Sequence, residues 1–472
     1  MRPLRRMISR SSGTRAARGG ARGALRDALR VVEGWLEYQR TFRRIPGLSV
    51  GLVHGDEMIF SAAFGYAEEA ARRKTTSQTC YRIASISKVF TATAVMQLVE
   101  RGLVRLDEHV DRYVPWFRSR RGLSLAPITV RQLLSHTAGV ERDGAAHWQN
   151  DRFPTLQQIM SRVRDGIAVF APLERWKYSN LGYVILGQVV AGAAARPYED
   201  YVRTEIIEPL RLSNTGFALT PKVIRALAVG YGRDVSRRPR QTFGHPDANG
   251  LRAAAGLVSN VVDLCAFMSA QFPGSGRLLS DLSKREMQRP QWLRNGDDRY
   301  GLGFNIWTVD AKPIVGHGGG FQGFKTAIGM DVERRIGVAV LTNAIDGPAE
   351  PLMIGVFQTI NDCLKPPYRP ARSITTRAGL RKYEGRYIGR WWDLEIVAAG
   401  DRLLAYDASS DRPLREASLL ERRSRERFQI VDGPGGGHVG EAVTFRWRAG
   451  RGPVGLWWGP NPMRRVRRRA PG

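Results

Sequence analysis

Residues 86 to about 101 place an apolar side chain on nearly every face of a helix: Ile86, Val89, Phe90, Ala92, Ala94, Val95, Met96, Leu98 and Val99, with Gly102 to end it. A helix that is apolar all round has no face to give to water, so it must lie inside a domain with other layers packed about it. The rest of the chain supplies those layers. Residues 48–53, a Gly55-Asp56 turn and residues 58–60 read as a β-hairpin, and residues 327–332 and 336–341 flank a Glu333-Arg334-Arg335 turn. A helix is expected over residues 349–363. Between about 105 and 300 the pattern is helical, with Thr129/Gln132 and Thr155/Gln158 as capping boxes and Asn260/Asp263 as a helix start. Strands first, helices between and strands last predict an α+β domain: an antiparallel sheet flanked by helices, with an all-helical insertion.

At 472 residues the chain is too long for one ordinary core of about 100 to 200 residues. Lys365-Pro366-Pro367-Tyr368-Arg369-Pro370 resists helix and strand, so residues 365–375 are expected to be a linker. Beyond it, residues 376–472 hold six short β-leaning segments separated by turns, which predicts a small accessory β-barrel or sandwich. Tyr383, Trp391, Trp392, Trp457 and Trp458 are expected to fill its core. Residues 1–30 carry nine Arg against the single acid Asp27 and read as a disordered tail, leaving residues 31–364 as the main domain.

The formal charge of +29 invites a nucleic-acid partner, but much of it sits at the two ends and no recognition motif accompanies it. No specific nucleic acid is expected. Three widely spaced cysteines, Cys80, Cys265 and Cys363, give neither a disulfide framework nor a metal spacing. The longest apolar run, 181–195, is interrupted by Gln188 and is too short to span a membrane, so no transmembrane segment is expected. The start lacks a secretory core, which points to the cytoplasm for this start and to an organelle or export if the true start differs.

Three motifs can carry chemistry. Ser85-Ile86-Ser87-Lys88 stands at the mouth of the buried helix, where a three-residue step puts hydroxyl and amine on one face. The pair suits a nucleophile and its base; a helix-capping serine beside a surface lysine is the alternative. A lysine inside an apolar helix is costly without a partner, which favours the first. Tyr178-Ser179-Asn180 precedes a second apolar helix and offers a phenol and an amide, or merely a cap with Tyr178 in the core. Val315-Gly316-His317-Gly318-Gly319-Gly320-Phe321 sets four glycines about one histidine, implying close backbone approach to a ligand or another segment. His136, next to Ser135, reads as a structural residue near the cleft, and the seven histidines contain no H-E-x-x-H pair, so neither a catalytic metal nor a cofactor is expected.

Ser85-x-x-Lys88, Tyr178-x-Asn180 and His317-Gly318-Gly319, in that order, resemble the serine β-lactamase and penicillin-binding-protein superfamily, in its class C-like branch of esterases and peptidases. Ile45-Pro46-Gly47, Leu133-Leu134-Ser135-His136-Thr137-Ala138-Gly139 and Tyr300-Gly301-Leu302-Gly303 extend the likeness over roughly residues 45–364. The resemblance implies a β-lactamase/transpeptidase-like fold, a lipocalin-like C-terminal barrel and an acyl-enzyme mechanism. Ser85 would be the nucleophile, Lys88 and Tyr178 would move its proton, and Asn180, Gly318 and Gly319 would hold the substrate. The backbone N–H groups of Ser85 and Gly320 would form the oxyanion hole. His317, counted with the catalytic set, stands where many relatives carry the lysine of K-T-G. A histidine is mostly neutral at neutral pH and Gly318 has no hydroxyl, so neutral esters or amides are expected over carboxylate-bearing substrates. Leu173 is a second departure, where relatives often have glycine. The substrate is expected to be a small molecule or peptide. The alternatives are a β-lactamase or D,D-peptidase, and a catalytically silent scaffold whose basic tails hold an anionic partner.

Overall fold

The computed structural model describes residues 12–118, 124–125, 127–143, 148, 152–235, 238–294, 296–364, 379–390, 392–399, 402–433, 438–448 and 452–466. The expected linker, Trp391 and the first and last basic residues lie outside these. The chain forms two compact units, one of Arg44–Met353 and one built from Met1–Arg43 with Ile354–Ala470.

The first unit is built on a nine-stranded antiparallel sheet of β1 (Gly47–His54), β2 (Glu57–Glu68), β3 (Arg73–Lys74), β4 (Trp292–Leu293), β5 (Arg299–Tyr300), β6 (Asn305–Val309), β7 (Lys312–Phe321), β8 (Phe324–Asp331) and β9 (Ile336–Thr342), in the order β3-β2-β1-β9-β8-β7-β6-β5-β4. The first hairpin and the last strands therefore meet: β1 pairs with β9 from Leu48↔Thr342 to His54↔Ile336. Register matters most at β7. Its partner β6 runs only from Val309↔Lys312 to Asn305↔Gly316, whereas β8 pairs with β7 as far as Phe321. Among the described residues, one edge of 317–321 is consequently left without a neighbouring strand.

The helices between the strands include α2 (Ser87–Glu100), α3 (Val130–Leu134), α4 (Leu156–Asp165), α5 (Asn180–Ala194) and α6 (Val261–Gln271), following α1 (Ser12–Phe42) at the N-terminus. Both expected capping boxes form, at Thr129/Gln132 and Thr155/Gln158, and Asn260 caps α6 by accepting from the Asp263 N–H. Every α2 residue from Ser87 to Leu98 is buried, in the unit's main apolar core. Helix α7 (Ala349–Leu364) begins after β9.

The second unit is a closed barrel of eight strands: β10 (Gly385–Ile388), β11 (Asp393–Ala399), β12 (Arg402–Asp407), β13 (Ser418–Arg422), β14 (Arg427–Asp432), β15 (Ala442–Arg448), β16 (Gly452–Trp458) and β17 (Asn461–Val466). β13 and β17 are two strands more than the sequence pattern suggested, and β17 takes in Arg464 and Arg465 from what looked like a basic tail. Tyr383, Tyr387, Phe428 and Phe445 fill the barrel, with Trp392 packed against that core. Trp458 joins it, but Trp457 is 39% exposed because neighbouring residues of a strand face opposite ways.

The tail expectation also changes. The chain is helical from Ser12, and Ala28, Val31, Val32, Trp35 and Leu36 are buried on one stripe of α1. Trp35 Nε1 donates to the Ser410 carbonyl at 2.8 Å and Gln39 Nε2 to that of Ala408 at 2.9 Å. Among the described residues, no helix is long and apolar enough to cross a membrane.

Candidate active site

Ser85 lies in a single tight turn, Ala84–Ile86, that leads into α2. Ala84 has φ of 51°, a left-handed conformation unusual for a residue with a Cβ. Every residue from Thr79 to Leu98 is buried except Ser85, which is partly open. The hydroxyl does not cap the helix, since the N-cap position is Ile86 and no side chain caps it. Instead Ser85 Oγ accepts from the Tyr178 hydroxyl at 2.8 Å and lies 3.3 Å from Lys88 Nζ.

Lys88 is fully buried. Its amine donates to Asn180 Oδ1 at 2.7 Å and to the Ala254 carbonyl at 2.9 Å, and sits 4.8 Å above the Tyr178 ring. Burial pushes the Lys88 amine well below the usual lysine range, with Arg142 adding to the shift and Asp143 opposing it. Burial likewise pushes the Tyr178 phenol up, so it is a neutral donor. Asn180 is turned by Asp143, whose carboxylate accepts from Asn180 Nδ2 at 2.5 Å. Of the alternatives for the Tyr178 motif, the cap is real but belongs to Ser179, which accepts from the Gly182 N–H at 2.9 Å. Tyr178 and Asn180 are thereby held on either side of the cap, and both reach the Ser85–Lys88 pair.

β7 brings the third motif. A Cβ on Gly319 would collide with Thr326 Oγ1 and with the Ile83 carbonyl, so only glycine lets the strand press against the Ser85 turn. Thr326 Oγ1 donates to the same carbonyl at 3.0 Å, binding sheet to turn. His317 is buried, with Nδ1 2.6 Å from the Gly318 carbonyl and Nε2 3.2 Å from the Tyr300 hydroxyl. Burial first, then Lys88, lower its imidazole to about 3. It is therefore a neutral hydrogen-bonding group and not a cation. His136 is structural: its Nδ1 accepts from the Ser179 N–H at 3.1 Å and its ring packs 4.4 Å from that of Tyr178.

A cleft of about 1030 Å³ runs along the open edge of β7 and contains Ser85, Tyr178, His317, Gly318, Gly319 and Gly320. Arg142, Arg294, Lys325 and Glu350 also line it, and none of these four is flagged by a local motif. They come from a loop, the segment after β4, β8 and α7, so no spacing in the chain links them. Leu173 has φ of 66°, which accounts for a preference for glycine at that point. Among the described residues no group of three or more His, Cys, Asp and Glu is placed to hold a metal ion.

A reachable serine against a buried lysine and a tyrosine, beside an open sheet edge, is the layout of a serine-hydrolase centre. The chain belongs to the Beta-lactamase family, which matches residues 32–353. A penicillin-binding protein of Bacillus subtilis (strain 168) is 28% identical over 366 residues, covering 71% of this chain and 77% of that protein. The octameric penicillin-binding protein homologue from Pyrococcus abyssi superposes with a TM-score of 0.62 at 26% identity, over 92% of this chain and 98% of that one. The D-amino acid amidase from Ochrobactrum anthropi SV3, solved with L-phenylalanine amide, gives a TM-score of 0.60 at 26% identity, over 72% of this chain and 97% of that one. Family and relatives support hydrolase activity in general.

Proposed function

We infer that the protein hydrolyses an ester or amide through an acyl-enzyme on Ser85. The observation that carries this reading is the placing of Ser85 Oγ between the Tyr178 hydroxyl at 2.8 Å and the buried Lys88 amine at 3.3 Å. A neutral lysine amine has two N–H groups and one lone pair. With the N–H groups given to Asn180 Oδ1 and the Ala254 carbonyl, the lone pair is left for the serine proton. Ser85 Oγ attacks the substrate carbonyl as its proton passes to Lys88, and the negative oxygen is held by the backbone N–H groups of Ser85 and Gly320. Tyr178, a neutral phenol, hands a proton to the departing alcohol or amine and is reprotonated by Lys88. Water then repeats the sequence and frees the acid. Asn180 orients the acyl group, and Gly318 and Gly319 border it along the open strand edge.

A second reading, turnover of carboxylate-bearing substrates such as β-lactams or D-alanyl peptides, draws on the cleft's cations. The preference for neutral substrates rests on His317 and on the missing hydroxyl at Gly318, whereas Arg142, Arg294 and Lys325 bring positive charge to the same cleft. Intact-mass spectrometry after incubation with a fluorophosphonate, and separately with a penicillin, decides between them. Labelling by the fluorophosphonate alone, lost in Ser85→Ala, is the expected result. Labelling by both supports the second reading, and labelling of the folded protein by neither refutes an acyl-enzyme and leaves a silent scaffold.

A further inference from the structure

Among the described residues that line the cleft, Glu350 is the one acidic side chain. It stands in the first turn of α7, and its position is set by Trp307, whose indole Nε1 donates to Glu350 Oε1 at 3.1 Å. Oε2 is turned the other way. It lies 3.1 Å from where a Cβ on Gly318 would be, so the missing side chain at Gly318 leaves the carboxylate facing the strand edge along which a substrate must lie. The neighbouring residue, Gly319, abuts the turn that carries Ser85. Gly318 and Gly319 face opposite ways, so Glu350 and the Ser85 turn flank β7 from its two faces and share the cleft at the strand's open edge. Among the described residues it has no cation within ion-pair distance, although Arg294 and Lys325 are near enough to feel its charge. Burial outweighs them and raises the Glu350 carboxyl above its ordinary value. A half-buried carboxylate bonded to a neutral indole and to no cation gains most from a cation that arrives with the ligand.

We propose that Glu350 is a specificity-determining residue whose free carboxylate oxygen, beside Gly318, binds an ammonium group on the substrate, so that ammonium-bearing esters and amides are taken in preference to carboxylate-bearing ones. A substrate carboxylate beside Gly318 meets the like charge of Glu350, whereas Lys325 Nζ stands beside Gly320, 3.2 Å from where a Cβ there would be. The cations Arg142 and Lys325 can still serve a carboxylate elsewhere in the cleft, which makes the preference a property of this position. This assignment rests on the hydrolase reading.

The test compares two 4-nitrophenyl esters of matched length, one with a terminal ammonium and one with a terminal carboxylate on the acyl chain, alongside 4-nitrophenyl acetate. In Glu350→Gln, the ratio of kcat/KM for the ammonium ester to that for the carboxylate ester is expected to fall about tenfold, the size of one ion-pair contact in a partly buried site, and to do so mainly through KM. A ratio equal to wild type overturns the proposal. A purely helix-stabilising role for Glu350 would change both esters alike and leave the ratio where it was. If Glu350→Gln does not fold, inhibition of the wild-type enzyme by aminoalkyl and carboxyalkyl boronic acids gives the same reading, the first expected to bind more tightly and equal binding overturning the idea. Ser85-dependent turnover of 4-nitrophenyl acetate with an unaltered ratio defeats only this proposal. Absence of that turnover defeats the hydrolase reading and this assignment with it.

Discussion

Replacing Lys88 with methionine separates its chemical role from its place in the core. Methionine fills nearly the same buried volume without a titratable amine. In the native site the amine is 3.3 Å from Ser85 Oγ, and among the described residues the only other group bonded to that oxygen is a phenol whose pKa is raised by burial. No second base stands ready, so the whole contribution of a positioned general base, about 10²- to 10⁴-fold, is expected to be lost from kcat/KM. At about 1.36 kcal/mol per tenfold, that is roughly 3 to 5 kcal/mol of barrier. Stability should change less. Asn180 Oδ1 and the Ala254 carbonyl each lose a donor, at about 1 to 3 kcal/mol apiece if left bare. Against this, the folded state no longer buries a group that is charged when unfolded. Because the Lys88 pKa is lowered on folding, the lysine weakens the fold increasingly as pH falls from 10.5 toward its folded value, and Lys88→Met removes that slope. The assay is kcat/KM on 4-nitrophenyl acetate at neutral and alkaline pH, beside chemical denaturation of both proteins. A folded Lys88→Met enzyme retaining more than about a tenth of wild-type kcat/KM would refute the reasoning.

Two further outcomes follow from groups around the site. The buried imidazoles of His317, lowered to about 3, of His245, lowered to about 4, and of His136, lowered well below the ordinary range by burial, are neutral in the fold. Their contribution is intact above the ordinary imidazole value of 6.5 and is lost as pH falls toward about 3. For fully buried His317 it is on the order of 5 kcal/mol at the acid end. Urea midpoints should therefore drop steeply from neutral pH into the acid range, and a midpoint flat over that range contradicts a neutral buried set. At Leu173, a left-handed φ of 66° on a side chain that is 56% exposed stores strain without packing in return. Leu173→Gly relieves about 1 to 2 kcal/mol of that strain and forfeits about 0.5 to 1 in unfolded-chain entropy, so a melting temperature about 2 °C higher is expected, and a lower one would show that the side chain is needed.

By itself the sequence determined the frame and the pairing of Ser85 with Lys88. An all-round apolar helix must be buried, which made Lys88 a lysine without water, and the three-residue step from Ser85 placed hydroxyl and amine together, because helical neighbours are set by local geometry. Capping boxes and the β-hairpin were legible for the same reason: each is complete within a few consecutive residues. Helix α1 was not legible because its apolar stripe, Ala28 to Leu36, straddles the expected boundary at residue 30 and has meaning only with the barrel-unit segment, Ala408 to Ser410, that it bonds. Tertiary structure alone decided the rest. The β6 register, ending at Gly316, opened one edge of β7; Asp143 turned Asn180 toward Lys88; and burial, not composition, held His317 neutral. Arg142, Arg294, Lys325 and Glu350 meet in one cleft from segments scattered along the chain. No local period records such a meeting, because side chains distant in sequence become neighbours only when sheet and helices pack, and the burial that sets their charges exists only in the folded state.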